Sequence, residues 1–477
     1  KDRDLVITLI VCTVVGFIYI LKKAQKKADR RRAGKAAATA AALDPLAPSP
    51  EEPATLALTL ETTGEPLHIN NPFRGILCVG GAGSGKSVSV LRQLMFSGVQ
   101  RGFCGLIYDF KAPTLTDELR NYLNAQKGLK MPLYEISFHD LEHSHRVNPL
   151  HPDYIRSASH AREYATALIN NLLPESLEKK DFWTRSCTDI LAAVMFYLAK
   201  EQPQLCTLPH VVALILTDEH RIISLLSQNL QSLGMVKSLE TAVRNNSSEQ
   251  LSGVISTLQS AISVLNTPEI FWVLSGNDFS LRLNDPAAPV WLSLGNCAEL
   301  AETYSPVLSL IATVALKQMN QAGGHHSVVL LDEAPTLYIP KLDGIPATAR
   351  SNKISLAFFA QDTSQIVNQY GQKNADVIMS LLNNQLFGRV GSQKTAEHIS
   401  KLFGRYDKEF SSYSKNKGKT TAIMSRSKNT GTSTSQAIQE RDRVRPQELL
   451  NLDVGQFVGF TVEGINKEFR TIFALIE

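Results

Sequence analysis

Three patterns of apolar and polar positions succeed one another along the chain. The first is a set of short continuous apolar runs: Gly75-Ile76-Leu77-Cys78-Val79, Leu106-Ile107-Tyr108, Ser327-Val328-Val329-Leu330-Leu331 and Ile354-Ser355-Leu356-Ala357-Phe358-Phe359-Ala360. Runs without alternation predict strands buried on both faces of a parallel sheet. The second pattern fills residues 155–275, where segments 161–169, 187–198, 208–216, 220–228 and 253–265 carry apolar residues at helical spacing between short polar breaks. These segments predict an all-helical lobe inserted into the sheet domain, its Met and aromatic residues serving as core packing. The third pattern is the uninterrupted apolar or weakly polar run 5–21, just long enough to cross a bilayer as a helix.

The flanks of that run give it a direction. Lys22-Lys23-Ala24-Gln25-Lys26-Lys27-Ala28-Asp29-Arg30-Arg31-Arg32 follows it, and basic residues stay on the cytoplasmic side. The expectation is a membrane anchor, amino terminus outward and the bulk of the chain in the cytoplasm. A cleaved signal peptide would instead carry its charges before the apolar run and a small-residue cleavage site after it. Because the sequence opens on Lys1, an earlier segment with a further membrane helix stays open. Behind the basic block, the Ala-rich residues 34–42 lead to Pro45, Pro48, Pro50 and Pro53, a helix extension followed by a semi-rigid linker.

Composition narrows the picture further. The chain has 477 residues, 43% of them hydrophobic, enough for one large domain or two smaller ones. Its formal net charge is +4, yet residues 1–35 hold ten Lys/Arg against three Asp/Glu, which leaves −3 for the rest. Anionic lipid is a sufficient partner for the juxtamembrane charge, so any nucleic acid must be held by a local groove or channel. The six cysteines are scattered without a C-x-x-C pair, which predicts reduced, buried thiols. Residues 411–436, rich in Ser, Thr, Lys, Asn and Gly, carry Lys415, Lys417, Lys419, Arg426 and Lys428 and no acid. Two readings stand for them: a disordered solvated loop, or a DNA-contacting loop in a pore.

Candidate chemistry lies where the apolar runs end. Gly80-Gly81-Ala82-Gly83-Ser84-Gly85-Lys86-Ser87 follows the first run and precedes the helix-compatible stretch 88–95. The G-x4-G-K-S spacing in this strand-loop-helix context predicts a phosphate-binding loop. Its backbone N–H groups would turn around the β-phosphate of ATP, Lys86 would bridge the β- and γ-phosphates, and the Ser87 hydroxyl would ligate Mg²⁺. At the end of the third run, Asp332 would bind Mg²⁺ through water and Glu333 would orient or deprotonate the attacking water. Asp109-Phe110-Lys111 and Gln361-Asp362 close the other two runs. The Gln361 amide can donate to a phosphate oxygen and accept from the lytic water; a polar strand cap is the alternative reading.

Together these residues resemble a known family. The apolar segment with its basic stop, the G-x4-G-K-S loop, Tyr108-Asp109-Phe110-Lys111, Phe182-Trp183 opening the helical lobe and Leu331-Asp332-Glu333-Ala334-Pro335 are similar to type IV coupling proteins. So are Ala349-Arg350, Ala360-Gln361-Asp362, Gln369-Tyr370-Gly371 and Asn383 before Thr395-Ala396. The resemblance is to the TraG/TraD-like coupling ATPases and their MobC-like mobilisation relatives, and it covers nearly the whole chain. It implies a homohexameric inner-membrane ATPase that recruits a relaxase–DNA complex and drives single-stranded DNA into a type IV secretion channel, with the helical lobe meeting the relaxosome. It also implies an arginine finger acting in trans, for which Arg350 is the first candidate and Arg389 the second. Residues 411–436 match no motif of the family.

The fold expected is therefore an α/β RecA-like P-loop NTPase with a parallel-rich central sheet, an inserted all-helical lobe and an N-terminal transmembrane helix. Its parts are 1–34 anchor and basic stop, 35–54 linker, 55–154 and 276–477 nucleotide-binding domain, and 155–275 helical insert. An ABC-type ATPase is disfavoured because Leu251-Ser252-Gly253-Val254 lies far upstream of Asp332 instead of shortly before it. An FtsK-type chromosome-partitioning pump shares the core but normally carries several membrane helices and a carboxy-terminal winged-helix reader, for which little sequence follows Phe473. A docking platform that uses ATP only to hold an assembly is the non-motor alternative.

Overall fold

The computed structural model describes residues 54–126, 131–177, 181–237, 248–422, 425–463 and 467–476. The expected anchor and basic stop, and all but residue 54 of the linker, lie outside the described residues, as does Cys12. Among the described residues no helix is long and apolar enough to cross a membrane.

The continuous apolar runs form the middle of one large sheet. In chain order the strands are β1 (Thr55–Thr59), β2 (Pro66–Asn70), β3 (Ile76–Val79), β4 (Cys104–Asp109), β5 (Leu133–Ile136), β6 (Trp291–Gly295), β7 (Ser327–Leu331), β8 (Ile354–Ala360), β9 (Asn384–Phe387), β10 (Arg405–Ala422), β11 (Ser425–Asp442), β12 (Gln456–Phe460) and β13 (Glu468–Ile472). β1 and β2 pair with each other, as do β10 and β11, and the other nine make the order β13-β12-β9-β3-β8-β7-β4-β6-β5. From β9 to β5 every pairing is parallel, and β12 and β13 extend that sheet antiparallel. The strand expected to end in Gln361 thus lies between the strand that feeds the glycine-rich loop and the strand that ends at Asp332.

Strand alternation divides the core into two layers. Leu77, Val79, Leu106, Tyr108, Val329, Leu331 and Phe358 pack on one face with the long helix Ala301–Met319. Ile76, Cys78, Ile107, Val328, Leu330 and Phe359 pack on the other, with helices Arg92–Gln100 and Thr114–Ala125. Because both faces are covered, every residue of β3, β4, β6, β7, β8 and β9 is buried, the condition that removes polar alternation from a parallel strand.

Between β5 and β6 the regular elements described are all helical. Ala158–Leu172, Leu208–Ile215, Glu219–Leu226, Leu230–Met235 and Ser248–Ser263 pack against Phe182–Glu201, whose residues 190–199 are all buried, and Pro268–Leu274 packs against Leu208–Ile215. Polar side chains set its helix starts: Asp181 accepts from Thr184 N–H, Asp218 from His220 and Arg221 N–H, and Asn229 from Gln231 and Ser232 N–H. Each such cap contributes about 1 kcal/mol. Cys78, Cys104, Cys187 and Cys206 are buried and reduced, and burial pushes the thiols of Cys78, Cys187 and Cys206 up to about 12.

Residues 411–436 depart from the reading as a disordered loop. Residues 411–422 and 425–436 belong to one antiparallel ribbon, β10 and β11, paired in unbroken register from Arg405↔Asp442 to Ala422↔Ser425. At about 3.3 Å per residue its 18-residue strands are about 60 Å long. Among the described residues the ribbon pairs with no other strand. At its root Ser400 Oγ donates to the Val444 carbonyl at 2.6 Å and Arg443 N–H to that of Gly404 at 3.1 Å.

Candidate nucleotide site

The glycine-rich loop hangs from the carboxyl end of β3 and is held by the strands on either side. Gly80 N–H donates to the Ala360 carbonyl at 3.1 Å, Gly81 N–H to the Arg389 carbonyl at 2.6 Å, and Ser84 N–H closes a turn onto Gly81. Two positions require glycine. A Cβ on Gly80 would stand 2.6 Å from Ser84 Oγ, and Gly85, at φ 93°, approaches the Gly455 amide so closely that a Cβ would meet it at 3.0 Å. Gly455 N–H in turn donates to the Ser84 carbonyl, so the turn before β12 braces the loop from behind. The chain then winds through a wide π-helical turn, Lys86–Leu91, into helix Arg92–Gln100. Such turns relax the helical ladder and recur at functional sites.

Lys86 and the two acids after β7 converge on this loop. Lys86 is 5% exposed; its Nζ donates to the Gly80 carbonyl at 2.5 Å and lies 3.6 Å from Glu333 Oε1. Asp332 and Glu333 are buried as well. Glu333 adopts φ 46°, ψ 48°, a left-handed conformation that costs a non-glycine residue about 1–3 kcal/mol. A relay holds it: Asn296 Nδ2 donates to Tyr108 Oη at 2.8 Å, Tyr108 Oη and Thr336 Oγ1 are 2.9 Å apart, and Thr336 Oγ1 donates to the Glu333 carbonyl at 2.7 Å. Gln361, just beyond β8, donates from Nε2 to Glu333 Oε1 at 3.0 Å. Lys86 and Gln361 therefore meet the same carboxylate oxygen from two sides.

The donor set fits a hard divalent cation beside a phosphate. Asp332 Oδ1 and Ser84 Oγ are buried without a hydrogen-bond partner among the described residues. Burial, reinforced by Glu333 and opposed by Lys86, holds the Asp332 carboxyl up at about 7. A buried carboxylate in want of a counter-charge is what a metal ion satisfies, and oxygen ligands such as Asp332 and the half-buried Ser87 suit Mg²⁺.

A sequence profile for the family described as Type IV secretory system Conjugative DNA transfer matches residues 48–461. The chain belongs to this family. Among its relatives, coupling protein TraD of Escherichia coli (strain K12) is 24% identical over 256 residues, 49% of this chain and 33% of TraD; the chain thus matches about a third of that relative's length. Its fold is similar to the unbound conjugative coupling protein TrwBdeltaN70, at 18% identity and TM-score 0.67 over 88% of this chain and 89% of that one. TrwB in complex with the ATP analogue ADPNP matches at 17% identity and TM-score 0.66, covering 90% of each chain. VirB4 of Thermoanaerobacter pseudethanolicus matches at 13% identity and TM-score 0.53 over 89% of this chain and 97% of its own.

The two arginines considered for this member of the family lie far apart in the fold. Arg350 is exposed, directly after helix Ile345–Ala349 and before the start of β8, and Glu463 lies within its electrostatic reach. It therefore sits at the sheet edge opposite the glycine-rich loop of its own chain. Arg389 corrects its expected role as a second trans candidate: its carbonyl receives Gly81 N–H, and its Nη2 would stand 3.6 Å from a Cβ on Gly83. It belongs to the loop of its own subunit, because β9 runs parallel beside β3 and both end at the same edge. The Asn296-Tyr108-Thr336 relay and the Gly455 brace escaped the sequence reading. A tyrosine inside a buried strand was the available signal, since a buried hydroxyl demands a partner.

Proposed function

We propose that this chain is a membrane-anchored ATPase that couples a relaxase–DNA complex to a type IV secretion channel and drives single-stranded DNA transfer during conjugation or mobilisation. The observation that carries the reading is the convergence of Lys86, Asp332, Glu333 and Gln361 on one glycine-rich loop in a member of the conjugative DNA-transfer family. The fold likeness to TrwB, which has been solved with ADPNP and with ADP and Mg²⁺, supports ATP and Mg²⁺ as the ligands.

In this reading residues 80–87 cradle the phosphates, and Lys86 leaves the Gly80 carbonyl for the γ-phosphate. Ser87, and Asp332 through water, would hold Mg²⁺, which would supply charge neutralisation at the phosphates. Glu333, released from Lys86 and steered by Gln361, accepts a proton from the attacking water. The helical lobe, 155–275, meets the relaxosome; residues 1–34 anchor the chain in the inner membrane, 35–54 link it to the body, and 55–154 with 276–477 make the motor domain. Six copies form a ring in which Arg350 of one subunit completes the site of the next.

Multiple-turnover ATP hydrolysis by the purified chain, with and without single-stranded DNA, tests the proposal. Sustained, DNA-stimulated turnover is expected. A single turnover per site, indifferent to DNA, would favour a docking platform and overturn the motor reading.

A further inference from the structure

The ribbon formed by β10 and β11 has two unlike faces. In an antiparallel pair, directly opposed residues share a face and alternate residues fall on opposite faces. The register pairs Lys415 with Thr432, Lys417 with Thr430, Lys419 with Lys428 and Thr421 with Arg426. All five cations of residues 411–436 therefore occupy one face. The other face over the same length holds Ser412, Ser414, Asn416, Gly418, Thr420 and Ala422, opposed by Ser435, Ser433, Gly431, Asn429, Ser427 and Ser425, none of them charged. The charge also changes sign along the basic face. Toward the root it carries Asp407, Glu409, Glu440 and Asp442, with Arg405 in ion pairs to Glu440 and Asp442.

We infer that the distal half of this ribbon is a docking strip for the sugar–phosphate backbone of single-stranded nucleic acid. Four successive cross-strand pairs on one face each hold at least one cation. Same-face positions recur about every 6.7 Å along a strand, which resembles the spacing of successive phosphates on an extended single strand. A linear polyanion matches a strip that runs lengthwise. An isolated two-stranded ribbon is marginal in water, and this one offers no apolar face for a core, so a polyanion along the strip supplies the missing partner. The acidic root repels the same ligand and confines it to the distal half. The inference rests on the reading of the chain as a DNA-transfer ATPase and adds a place on the molecule where the strand is held, without sequence preference.

The test uses the full chain in detergent with ADPNP and a fluorescent oligothymidylate, titrated by anisotropy from about 50 to 200 mM salt. Two variants are compared: K415Q, K417Q, K419Q, R426Q and K428Q together, and K415R, K417R, K419R and K428R together. The Gln variant should bind at least about tenfold more weakly, and the slope of log affinity against log salt should fall by about 3, each phosphate contact contributing about 0.7. The Arg variant should keep both, and thermal unfolding checks that each is folded. Unchanged affinity and slope in the Gln variant, with the parent chain binding the oligonucleotide, overturns the strip but leaves the proposed function standing. A parent chain that binds no oligonucleotide overturns both. A benzophenone on Thr430→Cys, in phosphatidylglycerol proteoliposomes with the oligonucleotide, should cross-link to DNA; cross-linking to lipid alone would assign the strip to the membrane and overturn the inference.

Discussion

Lys86 is shared between the Gly80 carbonyl and Glu333, so one ammonium both ties the loop together and restrains the residue proposed to act on water. The two partners should fail differently when changed. Lys86→Ala removes a cation that meets ground-state phosphates, and ATP affinity measured by calorimetry should fall at least about tenfold. Glu333→Gln keeps the loop, so ATP should bind within a few-fold of the parent and remain trapped while turnover falls by about 10²–10⁴. Equal loss of affinity in both would contradict these roles. Elsewhere, His326 lies between Phe73 and Phe103, its ring centroid 5.4 Å from each. Burial, then Lys353 and His325, depresses its imidazole to about 4 from an ordinary 6.5. Below pH 6.5 the unfolded chain takes up a proton that the folded chain refuses, so His326 costs stability as pH falls from 6.5 to 4 and nothing above that window. His326→Phe should flatten the dependence of the urea midpoint on pH between those limits; an unchanged profile would refute it.

At the scale of elements, the turn after β7 is the part most dependent on its surroundings. Glu333 holds a left-handed backbone because Thr336, Tyr108 and Asn296 form a chain of hydrogen bonds from its carbonyl to β6's end. Tyr108→Phe keeps the packing of β4 but cuts that chain. It should lower stability by about 1 kcal/mol, since Asn296 retains Ser305, and reduce kcat several-fold with ATP affinity unchanged. A loss confined to stability would make the relay structural only. Local pattern pointed to the loop, Asp332, Glu333 and Gln361 as neighbours, since each sits where a continuous apolar run stops. The relay was invisible because Tyr108, Asn296 and Thr336 are brought together only by sheet order. The ribbon was missed for the opposite reason. Its strands have no apolar face, so the hydrophobic period that marks other strands is silent, although Lys415-Asn416-Lys417-Gly418-Lys419 carries the same period in charge.

For the whole molecule, Arg350 lies away from its own glycine-rich loop, so its proposed role in trans depends on assembly. Mixed rings of Arg350→Ala and Glu333→Gln subunits, each inactive alone, should recover part of the ATPase activity, because some interfaces join an intact Glu333 to an intact Arg350. No recovery in confirmed mixed rings would remove Arg350 from that role. Sheet order has a further consequence, in time. β3 leaves the ribosome early, but its neighbours in the sheet are β8 and β9, and from Val79 to Ile354 lie about 275 residues, roughly 14–55 s of synthesis at 5–20 residues per second. The helical insert is local in sequence and can fold during that wait, whereas the glycine-rich loop stays without its walls until β8 and β9 arrive, and without the Gly455 brace until later still. The nascent chain thus completes its glycine-rich loop among the last things it builds, and a chain cut off before β8 lacks the Ala360 and Arg389 carbonyls that hold Gly80 and Gly81.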